Sequence, residues 1–258
     1  YDESKIEITI DDADANKEKL AAAVKKAADA DVLAPIATPT MIAVAAEKVR
    51  PIVFGMVFDP IEAGFAQSWE SSGRNVTGGS AYVSIGKFLR RIEEFLPLKK
   101  IGVIYQPDLK NSMIQMEAVK NGKLKAEVVL FPVKDLKELE AAPAKMTAAK
   151  VDAIFVCSGN VILPNSPKFL EATNKAKILS LAHIDDYIER GATIGLSLEP
   201  AKVGKLMGVK IAQVLRGANP STIAVLSGEV AVFCSSTPIA VPRKTPMKPK
   251  VICGRKRR

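Results

Sequence analysis

Residues 31–59, DVLAPIATPTMIAVAAEKVRPIVFGMVFD, decide the fold, because they predict a strand, a tight turn, a helix, a second strand and a turn. The apolar run 32–37 stops at Thr38-Pro39-Thr40, and a hydroxyl residue followed by proline is typical of a helix start. The helix at 41–49 is rich in alanine, and residues 52–58 form a second strand of the buried type. We therefore predict an α/β unit whose binding edge is the carboxyl end of its strands.

The same alternation extends in both directions from this stretch. Upstream, KIEITI at 5–10 alternates as a strand, and residues 17–28 predict an amphipathic helix. Downstream, the pattern predicts helices at 60–71, 85–95, 136–149, 167–176 and 199–216, and strands at 101–105, 127–132, 151–157, 178–182 and 193–198. Such alternation favours parallel sheets. Since the series breaks near Pro97 and restarts, we predict an α/β fold of two doubly wound parallel-sheet lobes with a ligand cleft between them.

The net charge of +9 is concentrated at the end of the chain. Residues 243–258 carry eight basic residues and no acidic residue, so the remainder of the chain is close to neutral. A basic tail can bind nucleic acid or an anionic membrane surface, and it can equally be a solvated end. No apolar run approaches the ~20 residues of a membrane span, and the chain starts at Tyr1 with Asp-Glu-Ser rather than with a signal peptide.

Cysteine and histidine are too scarce for the common catalytic and metal centres. Cys157 lies in an apolar run and is expected to be buried, and a Cys234–Cys253 disulfide is one alternative for the other two cysteines. His183 is the only histidine, and the sequence has no phosphate-binding GxxxxGK[ST] loop and no nucleophile elbow. We therefore predict no catalytic residue, no metal, no cofactor and no enzymatic activity.

An ordered set of short motifs suggests a family. ATPT at 37–40 is followed by PIVF at 51–54, Asp59-Pro60, GRNVTG at 73–78 and KKIGVIYQPDLKNS at 99–112. In this order, the motifs resemble the substrate-binding component of an ABC-type importer. More narrowly, they resemble the type I periplasmic-binding-protein family typified by tryptophan- and phenylalanine-binding lipoproteins. The similarity continues to the LRG that ends the last long predicted helix, and it covers roughly residues 1–222.

The resemblance implies two lobes between which the chain crosses three times. Lobe one would contain residues 1–92 and 193–222, lobe two would contain residues 96–190 and 223–242, and residues 243–258 would form the basic tail. The family has a further strand and helix, which would precede Tyr1 here, so lobe one departs from the family pattern. The resemblance also implies an extracytoplasmic location, either in the periplasm or lipid-anchored at the outer face of the cell membrane.

For function, the resemblance implies a solute-binding protein that closes around a small polar solute by hinge motion. The solute would be an amino acid, with an aromatic amino acid as the narrower expectation, and the protein partner would be the membrane permease of an ABC importer. We expect a monomer that does not bind nucleic acid. The alternative is the ligand-sensing domain of a regulator or signalling protein with the same fold.

Candidate ligand-binding residues follow from the chemistry of an amino acid. Its carboxylate is favoured by hydroxyls and N–H groups at helix N-termini, and its ammonium needs a carboxylate acceptor. At the predicted strand ends and helix starts, the residues that suit these groups are Thr38, Thr40, Asp59, Thr77, Asn111, Ser112, Ser158, Asn160 and Asp185.

Several of these candidates have a purely structural alternative. Thr38, Ser112 and Ser158 could be helix caps, and an aspartate before proline, as at Asp59, is often a turn residue. Tyr82 could stack on an aromatic ligand or pack in the core. The sequence leaves these alternatives open.

Overall fold

The computed structural model describes residues 6–14, 16–227 and 230–234, without the side chains of Ser197 and of residues 230–234. These residues form two units, each with its own sheet. The first unit contains the described residues up to Tyr82 and residues 199–227, and the second contains residues 83–198 and 230–234. The chain therefore passes from one unit to the other three times.

A small parallel sheet forms the first unit. Its strands are β1 (Ile52–Val57), β2 (Val76–Ser80) and β8 (Leu226–Ser227), paired in the order β1-β2-β8. Its helices are α1 (Lys17–Lys26), α2 (Thr38–Val44) and α8 (Pro200–Leu215). Short 3₁₀ turns lie at Ala27–Asp29 and Pro220–Thr222.

Helix α8 covers the first sheet at close range because a strand glycine leaves room for it. A Cβ at Gly55 would lie 2.0 Å from the sulfur of Met207. Met207 and Val214 pack against Val53 of β1, which is fully buried. The helix begins with Pro200, at a position where the missing N–H costs no helical hydrogen bond.

Two strand predictions for the first unit are wrong. Residues 6–10 pair with no strand in the described part of the chain, and Ile8 and Ile10 are 77% and 87% exposed. An alternating pattern buries one face only where a neighbouring strand fixes its register. Residues 32–37 make only isolated parallel bridges to β1, at Leu33 and Ile36. Lys5, the first residue of the predicted strand 5–10, lies outside the described residues.

The predicted helix at 60–71 is also wrong, because this segment forms turns. The carboxylate of Asp59 accepts hydrogen bonds from the N–H groups of Ile61 (3.2 Å) and Glu62 (3.1 Å), which stabilises a turn. Gly64 then adopts a positive φ of 79°, which no helix residue has. The backbone therefore leaves the helical path after a single turn.

A six-stranded sheet forms the second unit. Its strands are β3 (Lys100–Tyr105), β4 (Glu127–Pro132), β5 (Ala153–Val156), β6 (Leu179–Ala182), β7 (Ile194–Leu198) and β9 (Val230–Cys234). They pair in the order β4-β3-β5-β6-β7-β9, and all neighbours are parallel except β7 and β9. The helices are α3 (Ile85–Phe95), α4 (Lys110–Lys120), α5 (Leu136–Ala148), α6 (Ile162–Lys175) and α7 (Asp185–Glu189).

The core of the second unit is centred on β5. All four of its residues are fully buried, as expected for a central strand of a parallel sheet with both faces covered. Ile154 packs in a cluster with Leu139, Met146 and Leu170 from helices α5 and α6. The edge strand β4, in contrast, keeps only Phe131 buried.

The boundaries between the units differ from the predicted ones. Strand β7 was predicted in lobe one, but it pairs with β6 and β9 and therefore belongs to the second unit. Helix α3 also belongs to the second unit, where it packs on α4 and the Arg90 guanidinium donates to the carbonyl of Gly122. Residues 223–227, predicted in lobe two, lie in the first unit because β8 pairs with β2.

Cys157 is a free and fully buried thiol, as predicted. The predicted basic tail, 243–258, and the Cys234–Cys253 disulfide lie outside the described residues. Within the described ranges, every helix is too short or too polar to cross a lipid bilayer.

Candidate functional site

A switch in strand order marks the candidate site of the second unit. Strand β4 lies on one side of β3 and the later strand β5 lies on the other side, so the connections that leave β3 and β5 run in opposite directions. In open parallel sheets, ligands bind outside the carboxyl ends of the strands at such a switch point. The residues that follow these two strands are Gln106 and Cys157-Ser158.

At this edge, Ser158 is held by a buried amide from α4. Its N–H donates to Gln115 Oε1 at 2.6 Å, and its hydroxyl oxygen accepts from Gln115 Nε2 at 2.8 Å. Gln115 is fully buried, whereas Ser158 is half-buried. Two hydrogen bonds to one rigid amide fix both the backbone and the side chain of Ser158.

A second buried glutamine fixes the same turn. The side-chain oxygen Oε1 of Gln106 accepts a hydrogen bond from the backbone N–H of Val161 at 2.8 Å, and the backbone N–H of Gln106 donates to Ser112 Oγ at 2.9 Å. Ser112 is therefore a structural hydrogen-bond partner of the β3–α4 loop. Ser112 does not cap a helix, as the structural alternative proposed, because α4 starts at Lys110 after Leu109, which makes no side-chain cap.

The amides of Asn111 and Asn160 belong to the same edge but are more accessible. Asn111 is half-buried and Asn160 is exposed. Neither side chain makes a hydrogen bond within the described part of the chain, so both amides are available to a solute.

Asp185 begins helix α7, after the carboxyl end of β6. It is half-buried, and its Oδ1 atom is shielded from solvent. Nearby, His183 is buried and stacks on Phe155 with ring centroids 5.6 Å apart. Burial lowers the pKa of the imidazole to about 3, so His183 is neutral at pH 7. Asp185 itself lies after the carboxyl end of β6, where the sequence predicted a carboxylate that accepts from the ammonium of the solute.

In the first unit, the predicted residues lie around the carboxyl end of β1. Thr38 is the first residue of α2 and is 2% exposed. Thr40 donates its hydroxyl to the carbonyl of Ala37 at 2.8 Å and also to that of Ile36. Asp59 follows β1 and caps the turn after it. The structural alternative for Asp59 is therefore present in the fold.

Thr77 lies within β2, away from the strand end. It is fully buried, and its hydroxyl donates to the carbonyls of Ile223 (3.0 Å) and Ala224 (3.4 Å). This contact holds the segment before β8 against β2. The structure thus gives Thr77 a role inside the first unit.

Three aromatic rings lie together in the first unit. The ring centroid of Tyr82 is 5.9 Å from that of Phe58 and 5.4 Å from that of Trp69. Phe58 and Tyr82 follow the carboxyl ends of β1 and β2, and Tyr82 and Trp69 are half-buried. Tyr82 therefore packs in an aromatic cluster and keeps part of its surface accessible.

Backbone strain also collects at this edge of the first unit. Ala37, Met56 and Asp59 all adopt positive φ values, of 73°, 54° and 38°. Such conformations are unfavourable for residues other than glycine and concentrate at functional sites. All three residues lie near the end of β1 or at the start of α2.

Comparison with known proteins identifies the family. The sequence profile of the ABC transporter substrate binding protein family matches residues 1–233. The chain belongs to this family. The resemblance seen in the motifs is thereby confirmed, as is the α/β fold with parallel sheets.

One relative of this substrate-binding protein is a tyrosine-binding protein. A tyrosine-binding protein of Clostridioides difficile (strain R20291) is 33% identical over 199 residues, which are 76% of this chain and 57% of that protein. The chain therefore spans a little over half the length of this curated relative.

Two solved structures similar to this chain come from Streptococcus and Clostridium. One is the ABC domain from Streptococcus pneumonia in complex with L-Trp, with 28% identity, a TM-score of 0.75, and 84% of this chain and 76% of that chain covered. Another is the ligand-free, open structure of a substrate-binding protein with adhesive properties from Clostridium difficile. It has 26% identity and a TM-score of 0.70, and the match covers 92% of this chain and 82% of that chain.

Sequence reasoning missed the two glutamines of this substrate-binding protein. Gln115 lies three residues after Ser112 in α4, so both lie on one face of the helix, and both are fully buried. Two polar residues three positions apart in a predicted helix were the signal that could have revealed the role of Gln115. The partner, Ser158, is 43 residues away along the chain, so the contact itself was not predictable from sequence.

Proposed function

We propose that this chain is the solute-binding component of an ABC importer and that its solute is an amino acid, most specifically an aromatic one. The observation that carries the proposal is the set of polar groups at the switch point of the second unit, in a chain that belongs to this family. Ser158, Asn111 and Asn160 supply hydrogen-bonding groups for a carboxylate, and Asp185 supplies an acceptor for the ammonium.

The first unit would contribute the remaining contacts. Asp59, Thr38 and Thr40 lie where the strand β1 gives way to helix α2 and to the following turn, and Tyr82 belongs to the aromatic cluster. We propose that the aromatic side chain of the solute packs against this cluster. Ser112 and Thr77 support the site through backbone contacts.

We further propose that the two units close over the solute by hinge motion at the three chain crossings. In this mechanism the protein works as a monomer outside the cytoplasm, delivers its solute to a membrane permease and performs no chemical step. The bound amino acid would therefore be recovered unchanged.

A binding screen tests the proposal. L-tyrosine, L-tryptophan, L-phenylalanine and the other protein amino acids are added to the purified chain, and thermal unfolding is followed. A ligand at a hundredfold excess over its Kd stabilises the folded state by about 2.7 kcal/mol. We expect an aromatic amino acid to raise the Tm, and chromatography to recover it intact. A cooperative transition that no amino acid shifts would contradict the proposal.

The role of Asp185 is tested against its neighbour. Because a carboxylate bonded to an ammonium contributes about 1.5–3 kcal/mol, Asp185→Asn should weaken binding of the identified amino acid by about tenfold or more. Asp186→Asn is the matched control, since Asp186 is exposed and lies 3.6 Å from Arg190. Calorimetric titration should show a change of less than about twofold for the control. Equal effects of the two changes would remove Asp185 from the site.

A further inference from the structure

We propose that Gln115 fixes Ser158 as a hydrogen-bond donor, and that Ser158 therefore binds the carboxylate of the solute. This inference rests on the proposed function, and it deepens it by assigning one end of the amino acid to one residue. The argument depends on the directions in which hydrogen bonds can run between these two residues.

The orientation of the Gln115 amide follows from the backbone. The N–H of Ser158 can only donate, so the Gln115 atom 2.6 Å from it must be the carbonyl oxygen, Oε1. The other end of the amide is then Nε2, which can only donate, and it lies 2.8 Å from Ser158 Oγ. A flipped amide would place two donors against each other at the Ser158 N–H.

The polarity of the Ser158 hydroxyl follows in turn. Its oxygen accepts the Gln115 hydrogen bond, so its single proton points away from Gln115. This proton has no acceptor in the described part of the chain, and Ser158 is half-buried rather than enclosed. Ser158 therefore presents a donor at the edge of the sheet.

The position of Ser158 relates this donor to the solute. Ser158 follows β5, at the switch point between β3 and β5, where ligands of parallel sheets bind. The neighbouring strand β6 leads to Asp185, the proposed acceptor of the ammonium. The carboxylate and the ammonium of an amino acid are bonded to the same carbon, so partners on adjacent strands suit them.

A fixed donor selects among the groups of the solute. In tryptophan, the ammonium and the indole N–H are donors, and the carboxylate oxygens are the acceptors. In tyrosine the phenol oxygen can also accept, but a hydrogen bond to an ionised acceptor is roughly twice as strong. The carboxylate is therefore the group that Ser158 binds.

The test compares binding of L-tryptophan and L-tyrosine with that of their amides, in which the carboxylate is replaced. Ser158→Ala should weaken binding of the acid by about tenfold or more and that of the amide by much less. Gln115→Glu keeps an acceptor for the Ser158 N–H and offers a second acceptor to the hydroxyl. Ser158 then turns its proton inward, and we expect a loss similar to that of Ser158→Ala.

The double variant separates this role from a structural one. If Gln115 acts through the hydroxyl, Gln115→Glu adds little further loss when Ser158 is already alanine. If Gln115 acts only by supporting the loop, the double variant should lose affinity by the product of the two single-variant factors. Cooperative thermal unfolding of each variant shows that it is folded.

Each outcome decides a different claim. Acid binding by Ser158→Ala within about twofold of wild type, or multiplied losses in the double variant, would overturn the inference and leave the proposed function standing. If wild type bound none of the protein amino acids, the proposed function and the inference would both fall.

Discussion

The two units differ in how completely their sheets are covered. In the second unit, β5 has a neighbouring strand on each side and is wholly buried. Among its described large apolar side chains, the most exposed are only 37–45% exposed (Phe95, Leu130 and Leu136). In the first unit, helix α1 contributes no buried residue, and Ile8, Ile10 and Val49 are 77–87% exposed. Apolar residues thus end in different environments in the two units.

The difference shows that burial is decided by neighbours rather than by apolar content. In residues 31–37, the N–H of Ala37 donates to Gly55 of β1 and the N–H of Leu33 donates to Pro51, just before β1. The other edge of this segment pairs with no strand in the described ranges. Without a strand at that edge, the alternating residues 6–10 have no surface to cover. Stability should therefore respond to mutation and to pH mainly through the second unit.

The largest expected effect is the acid sensitivity of the second unit. Burial lowers the pKa of His183 to about 3 from its ordinary value of 6.5. Between these two values the unfolded chain binds a proton that the native chain excludes, so stability falls as the pH falls through this window. At about 1.36 kcal/mol per pH unit the loss approaches about 5 kcal/mol in total, and about 2 kcal/mol of it occurs between pH 6.5 and about pH 5.

Denaturant unfolding at several pH values measures this loss. His183 is the only histidine of the chain, so the change above pH 5 isolates it from most carboxylates. The variant His183→Gln, which is neutral throughout, should lose this part of the pH dependence. A wild-type stability that stays flat down to pH 5 would mean that water reaches the second core, and the contrast between the units would fail.

The next effect is the same substitution made in both units. Ile154→Ala removes a fully buried side chain from β5 and should cost about 2–5 kcal/mol, because it leaves a cavity in a packed core. Ile10→Ala removes a side chain that is 87% exposed and should change stability by less than about 0.5 kcal/mol. The free energies of unfolding from urea titrations give both values. A cost above about 1 kcal/mol at Ile10 would show that residues 6–10 are buried in solution.

Most of the second unit could be predicted from its sequence. Strand β3 and helix α3 were predicted almost to the residue. In both, the apolar residues that suggested the element are also the residues that the fold buries. The first unit was predicted less well. The alternating pattern at 5–10 predicted a strand, but the described sheet has no neighbouring strand for it to pair with. The segment 60–71 was predicted as a helix but forms turns that begin at Asp59.

The candidate site was only partly predictable for a different reason. Strand ends locate Ser158 and Asp185, because the carboxyl edge of a parallel sheet follows from the order of elements. The Gln115–Ser158 contact joins helix α4 to the loop after β5, and its geometry depends on strand order. The sequence contains no local signal for that order.

The smallest effect concerns the helix ends of the second unit. Lys150 follows α5 with a φ of 56°, its N–H donates to Thr147, and the N–H of Val151 donates to Met146, which together form a Schellman cap. Glycine adopts this conformation without the cost that a Cβ imposes, so Lys150→Gly should stabilise the protein by about 0.5–1 kcal/mol. Lys150→Ala, which removes the same charge and keeps the Cβ, should change stability by only a few tenths. If alanine stabilised as much as glycine in urea titrations, the gain would come from the charge, and the positive φ at this helix end would carry no strain. This helix end of the second unit would then be unstrained, in contrast to the first unit, where Ala37 and Asp59 adopt positive φ at the candidate site. The two units would thus differ in backbone strain as well as in burial.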